Sequence, residues 1–392
     1  VDRKKFFEIF GIILLLIIFY SYLPTISEIM SETGSADFVW QASKCTFEGI
    51  NFYSSYLNKD GDCTYFMNDG AGYAQGFYLI LYPFTLVEWN TAKILWFCLN
   101  VVLIVSTIIM LCKKFELSFI ETSLIIFILM YSIITRVNLI MGQHTIFTLF
   151  FLTLPFVNKS KLSSLLSGIS YLKYNIGYGL LILFFVSKEY KNLFLSLLPA
   201  IFGILIFCLI TNTNIIDNIF QPIELTIFNA KYHGSTLNNI FLFSFFKDFA
   251  LFNEYINYLL IGLFTLVFNI FIVNKISKNN NNLFKLSSLC LLVLISTPHW
   301  GHDYILLTPL FIYSIKYYKH SLFLTRINIL VCVYFLYLYR GIQIYLSNFL
   351  SNQNFSIDTL SILYPYLDIF ILMITLLLNV YDKKLKKGLS AA

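Results

Sequence analysis

Four stretches of this chain, residues 9–27, 94–112, 192–216 and 255–274, contain no Asp, Glu, Lys or Arg. Each is close to the ~20 residues a helix needs to cross a hydrocarbon layer. The rest of the chain agrees, because 58% of its 392 residues are hydrophobic and 12% are charged. A soluble domain carries roughly 25% charged residues. The expected fold class is therefore an all-α polytopic membrane protein. The net charge of +6 is not a nucleic-acid signal here, since short basic loops set membrane topology.

Ten full crossings are expected, near residues 6–27, 92–112, 117–135, 143–157, 191–211, 254–273, 284–297, 303–317, 327–345 and 360–380. Residues 73–88 and 162–187 read as shorter or re-entrant helices, a kind of backbone tolerated at depth only under cover of protein or a cavity. Arg3, Lys4 and Lys5 precede a run too long for a signal peptide, with no small-residue cleavage site after it, so it reads as an uncleaved first span. On this map most basic residues fall on one side. The other side holds Lys44, Lys59, Arg136, Lys231, Lys247 and Arg340, with Lys93 and Lys173 at or within the membrane. Both termini are then cytoplasmic. Residues 1–392 read as a single integral-membrane domain with a large first outer loop at 28–72 and a second at 212–253. No nucleotide-binding glycine motif, soluble domain or internal repeat stands out, which argues against an ATP-driven pump.

Five of the seven cysteines lie in or at apolar runs and read as packing residues. Cys45 and Cys63 share the first outer loop, where a disulfide and two free thiols are both open readings.

The unusual polar residues gather on the outer side of this map. Asp37 follows the first span; Arg136, Asn138, Gln143 and His144 lie between the third and fourth. His299, Trp300, His302 and Asp303 interrupt two apolar runs. Lys173 is the only charged residue between Lys161 and Lys188, so it needs a partner or a wet cavity. These groups suit an anionic ligand such as a phosphate at the membrane surface. Asp60-Gly61-Asp62 reads as a turn, and no set of three convergent metal ligands is evident.

Four blocks share an order that resembles the polytopic glycosyltransferases of family 87, within the GT-C superfamily. They are Asp37 with Gly49-Ile50-Asn51-Phe52-Tyr53; Tyr82-Pro83-Phe84 with Ala92-Lys93-Ile94-Leu95-Trp96; Gly142-Gln143 with Ser167-Gly168 and Lys173; and Ser296-Thr297-Pro298-His299-Trp300-Gly301-His302. Two places depart from the family's pattern. Tyr73-Ala74-Gln75-Gly76-Phe77 stands where prolines are frequent, and Tyr174-Asn175 where a proline commonly follows the hairpin lysine.

The resemblance implies a GT-C-like helical bundle and an inverting transfer of a sugar, mannose in known members, from a polyprenyl-phosphate donor at the outer leaflet. It implies Asp37 as general base. Lys173, His299, His302 and Arg136 are the cations available for the leaving phosphate. Gln143 and His144 are further donor-side candidates, and Tyr53 and Trp300 are rings able to stack on a sugar. The implied partners are membrane lipids, the lipid-linked sugar and a lipid or glycan acceptor, with no cofactor. A transporter or flippase for a lipid-linked sugar would also use many spans, but transporters commonly repeat their halves. A polymer ligase or polymerase would favour several outer-loop arginines, where only Arg136 and Arg340 qualify.

The charge map makes a direct prediction. A cysteine introduced at either terminus should resist a membrane-impermeant maleimide added to intact cells, while Lys59→Cys should react. Labelling at a terminus would invert the map.

Overall fold

The computed structural model describes residues 11, 13–14, 16–18, 20–31, 34–58, 63, 73–233, 254–297, 301–318, 322–339, 341–342 and 357–381. Every regular element among them is helical. In chain order they are α1 (Leu23–Met30), α2 (Trp40–Phe47), α3 (Phe52–Asn58), α4 (Gln75–Ile80), α5 (Tyr82–Thr85), α6 (Trp89–Lys114), α7 (Phe119–Tyr131), α8 (Ile133–Met141) and α9 (Thr145–Val157). Then follow α10 (Lys161–Ser167), a 3-10 turn (Gly168–Leu172), α11 (Tyr174–Val186), α12 (Tyr190–Thr211) and α13 (Ile215–His233). The remainder is α14 (Glu254–Ser277), α15 (Asn282–Ser296), a 3-10 helix (Gly301–Leu307), α16 (Thr308–Lys316), α17 (Leu322–Val333), a π-helical turn (Tyr334–Leu338) and α18 (Ile357–Tyr381).

The chain's contacts gather into two compact units. One comprises Val1–Gly177 and Lys191–His233, the other Tyr178–Tyr190 and Gly234–Ala392. The boundary falls inside α11.

Two helices among the described residues, α6 and α12, are long and apolar enough to cross a membrane. The pair α7–α8, bent by 59°, makes a third if it is one broken span. The bend has a local cause at Ser132. Its ψ of 143° ends α7, and its side chain accepts from the Thr135 N–H to cap α8. Most of the other expected crossings fall on apolar helices of 10–17 residues. The segment 162–187, expected to be broken, is broken at Lys173 (ψ 80°). Its longer arm, α11, has 13 residues and at 1.5 Å per residue reaches about 20 Å, short of a full crossing.

The expected first outer loop is not open chain in the described part. It contains α2 and α3, and Cys45 on α2 is disulfide-bonded to Cys63. The loop is pinned to the short helices that follow it. The Trp40 indole donates to the Phe84 carbonyl at 2.7 Å, and Ser43 Oγ to the Tyr78 carbonyl at 2.5 Å. The expected second outer loop likewise begins as helix α13; residues 234–253 lie outside the described part.

In the second unit α15 is buried from Leu283 through Ser296 and packs against α14, α16 and α18. Asn328 on α17 and Asn379 on α18 exchange amide hydrogen bonds of 3.1 and 2.8 Å. Without water to satisfy them, polar side chains between membrane helices pair with one another.

In the first unit α12 crosses α4 at two glycines. A Cβ at Gly203 would lie 2.5 Å from Gly76 Cα and 2.9 Å from Gly76 N. Backbone cannot yield as a flexible side-chain tip can, so Gly203→Val should destabilise by about 1–3 kcal/mol. Around Gly262 on α14 an added Cβ meets nothing within 4 Å. Gly262→Ala should therefore be neutral or stabilise by up to about 1 kcal/mol, alanine being the better helix former. Thermal unfolding of both variants in detergent checks the contrast.

Candidate functional site

The tripeptide Gln143-His144-Thr145 joins α8 to α9, and each of its side chains meets a different group. The turn before it is what sets the geometry. Gly142 ends α8 in the left-handed conformation, φ 68°, and the Gln143 N–H returns to the Asn138 carbonyl at 2.9 Å. The last carbonyls of α8 have no partner within the helix. The segment after the first span supplies donors: Ser35 N–H to the Ile140 carbonyl at 2.7 Å and Asp37 N–H to the Met141 carbonyl at 2.9 Å. The backbone of residues 35–37 is thus fixed onto the end of α8.

That docking brings the Asp37 carboxylate to Gln143. The buried Gln143 amide donates from Nε2 to Asp37 Oδ2, while Asp37 itself is only half-buried. Phe38 stacks on Trp96 with centroids 4.9 Å apart and planes 6° apart, and the Trp96 indole donates to the Gly142 carbonyl at 2.9 Å. A rigid aromatic backing therefore holds both the turn and the chain that carries Asp37.

His144 is fully buried. Its Nδ1 pairs with the Tyr73 hydroxyl at 3.1 Å, and Phe77 meets its ring edge-on at 4.5 Å. Tyr53 donates its hydroxyl to the Tyr73 carbonyl. Burial pushes that hydroxyl well above its ordinary range, so it stays a donor. Tyr53 has no exposed surface and sits among Phe52, Tyr78 and Phe207. Proposed from sequence as a sugar-stacking ring, it is here a support behind Tyr73.

Thr145 opens α9, and its hydroxyl accepts from Lys173 Nζ at 2.7 Å. Both residues are buried. Lys173 reaches this point because the Ala74 N–H donates to the Leu172 carbonyl at 2.9 Å, joining the segment before α4 to the broken hairpin. The ammonium lies beside the first residue of a 13-residue helix, whose N-terminal end carries partial positive charge. Two positive features close together favour an anion there.

Arg136, expected in this group, packs instead over the rings of Tyr131 and Tyr22, at 4.7 and 5.7 Å. His299 and Trp300 lie outside the described residues. His302 belongs to the second unit, with Nε2 3.8 Å from Asp303 Oδ1. Among the described residues no three His, Cys, Asp or Glu gather in a group fit for a metal.

Sequence reasoning passed over Tyr73, Thr145 and Asp368. The first two carry no signal of their own; only the fold brings them to His144 and Lys173. Asp368 had one, as an acid deep in the apolar run of α18. It is buried and accepts from Tyr334 at 3.1 Å and Tyr304 at 3.4 Å.

Comparison with known proteins gives one family: the model of glycosyltransferase family 87 matches residues 73–297, more than half of the chain. No curated protein and no solved structure matches. The matched region contains Tyr73, Gln143, His144, Thr145 and Lys173; Asp37 and His302 lie outside it.

Gly142 is the position where this site is most sensitive to a small change. A Cβ there would need a left-handed backbone and would lie 2.9 Å from Phe38 Cβ. Gly142→Ala should cost about 1–2 kcal/mol from backbone strain alone, with the Phe38 contact adding to it. A lowered thermal midpoint in detergent is the expected readout.

Proposed function

This chain belongs to glycosyltransferase family 87 and is a membrane glycosyltransferase, and we propose that it transfers a hexose or pentose, mannose-like in the first instance, from a polyprenyl-phosphate donor to an envelope lipid or glycan acceptor. The proposed transfer inverts the anomeric centre. Its place is the outer face of the plasma membrane, with both termini cytoplasmic.

One observation carries the reading: the hydrogen bond from Gln143 to Asp37. It joins a half-exposed carboxylate from outside the family match to the matched turn. One residue further on, His144 leads to Thr145, which holds the Lys173 ammonium. A base and a cation are thereby anchored to three consecutive residues.

An inverting transfer needs that pair. The Asp37 carboxylate takes the proton of the acceptor hydroxyl as its oxygen bonds to the anomeric carbon. The bond from that carbon to the donor phosphate oxygen breaks, and polyprenyl phosphate leaves with the electron pair. Negative charge grows on the phosphate, where Lys173 and the start of α9 supply the opposite sign. The bond from Gln143 fixes the orientation of the carboxylate. His144 is proposed as the buried spacer of the turn. Arg136 is assigned to packing on Tyr22 and Tyr131. No cofactor enters, since the donor already carries the activated sugar.

Asp37→Asn keeps the shape and one hydrogen-bonding oxygen but cannot take the proton. Turnover of purified protein with a polyprenyl-phosphate sugar and a lipid acceptor should fall by about 10² or more, with donor affinity retained. Lys173→Ala should weaken donor affinity as well as rate. Near-normal turnover in Asp37→Asn would remove the base assignment. Weakened donor binding in that variant would move Asp37 to substrate positioning.

A further inference from the structure

Helix α13 has its faces arranged in an unusual order. Its buried side carries two amides: Asn218 and Gln221 are enclosed, beside Pro222 and Leu225. Their amides meet the first loop. Asn51 Nδ2 donates to Asn218 Oδ1 at 3.2 Å and to Gln221 Oε1 at 3.0 Å, and Gln221 Nε2 donates to Ser54 Oγ at 3.1 Å. Gln75 Nε2 donates to the Asn218 carbonyl. The side turned away from the protein is apolar. Ile215, Ile216, Ile219 and Phe220 are all exposed, Ile216 by 65% and Phe220 by 54%.

At 3.6 residues per turn these four side chains share one arc of roughly 140°. Asp217 and Glu224, both exposed, fall together just beyond its far edge. Around the helix the order is amide face, apolar face, acidic edge. Four large apolar side chains in two turns are an unfavourable surface in water. They suit a helix lying in a membrane interface, with the apolar arc in the acyl boundary and the acids toward solvent.

The connection to α12 places α13 at such a boundary. Only residues 212–214 separate the spanning helix from Ile215. That link is drawn tight: the Thr213 N–H returns to the Cys208 carbonyl at 3.1 Å, and Asn218 Nδ2 donates to Thr213 Oγ1 at 2.7 Å. The last turns of α12 expose Leu205, Ile206 and Leu209, Leu209 by 82%. An apolar surface therefore runs along the spanning helix to its end and resumes three residues later.

We infer that α13 is an interfacial helix, resting Ile215, Ile216, Ile219 and Phe220 on the lipid surface while its amide face clamps the first loop. The bound partner is the bilayer itself. The loop that follows Asp37 is thereby held at the membrane boundary through Asn51 and Ser54.

The test is spin-label accessibility in vesicles of phosphatidylcholine and phosphatidylglycerol, and it does not depend on transferase activity. Among the described residues the one exposed free cysteine is Cys98, and Cys112, Cys208, Cys290 and Cys332 are buried. In a Cys98→Ser background, Ile219→Cys, Phe220→Cys and Glu224→Cys would each be labelled with a nitroxide. All three replace exposed side chains, so the fold is retained. Labels at 219 and 220 should be relaxed several-fold more by oxygen than by a water-soluble nickel chelate, and the label at 224 the reverse. Preference for the nickel chelate at 219 and 220 would put the arc in water and overturn the inference. Protection of those two labels from both reagents would mean that protein covers the arc, and would overturn it equally.

Discussion

The structure of the first unit turns on the junction between α8 and α9. A helix end leaves carbonyls without partners, and in an apolar surrounding they must find donors inside the protein. Here the donors are the backbone N–H groups of Ser35 and Asp37. Satisfying α8 and positioning Asp37 are therefore one event. Gly142 permits the tight reversal, and Trp96, stacked on Phe38 and bonded to the Gly142 carbonyl, backs both chains. The next three residues then reach Asp37, Tyr73 and Lys173 in turn.

The same rule explains much of the polar architecture elsewhere. Lys93 is enclosed on α6, donates to the Ser31 carbonyl at 3.1 Å and lies over the Trp89 ring. The Asn328–Asn379 pair and the Asp368 cluster in the second unit are further instances. Lys93, the Asn328–Asn379 pair and Asp368 each meet a partner from another segment of the chain, so each also acts as a locating pin. A conservative change at such a group leaves a partner unsatisfied, which costs more than the loss of one neutral hydrogen bond at a surface.

Some of this was legible in the sequence. Uncharged runs gave helices close to the expected places, and Lys173 stands at the break of the 162–187 segment. Gly142-Gln143 belongs to one of the four motif blocks, and Gln143 is the residue that meets Asp37. Other features were not legible. Ser132 gave no warning of a 59° bend, because serine in an apolar run is common and only its extended ψ makes it a cap. Arg136 was grouped with the site by loop position, yet its guanidinium lies on two aromatic rings. Tyr53 was read as a stacking surface and is enclosed. The loop at 28–72 carries α2 and α3, and short helices of mixed composition have no strong periodic signature.

What the sequence determined by itself is the apolar, all-helical class of the chain. The absence of charge over ~20-residue runs leaves a chain no stable place but a membrane, and a helix is the way such a run pairs its own backbone. The order of its motifs also marked the family. What only the tertiary structure decided is which polar residues meet. Asp37 and Gln143 are 106 positions apart, and Lys173 and Thr145 are 28 apart. No local pattern encodes either contact. They arise because a helix end needs donors and a broken hairpin needs a backbone partner, and those needs are met by whichever distant segments the packing brings alongside.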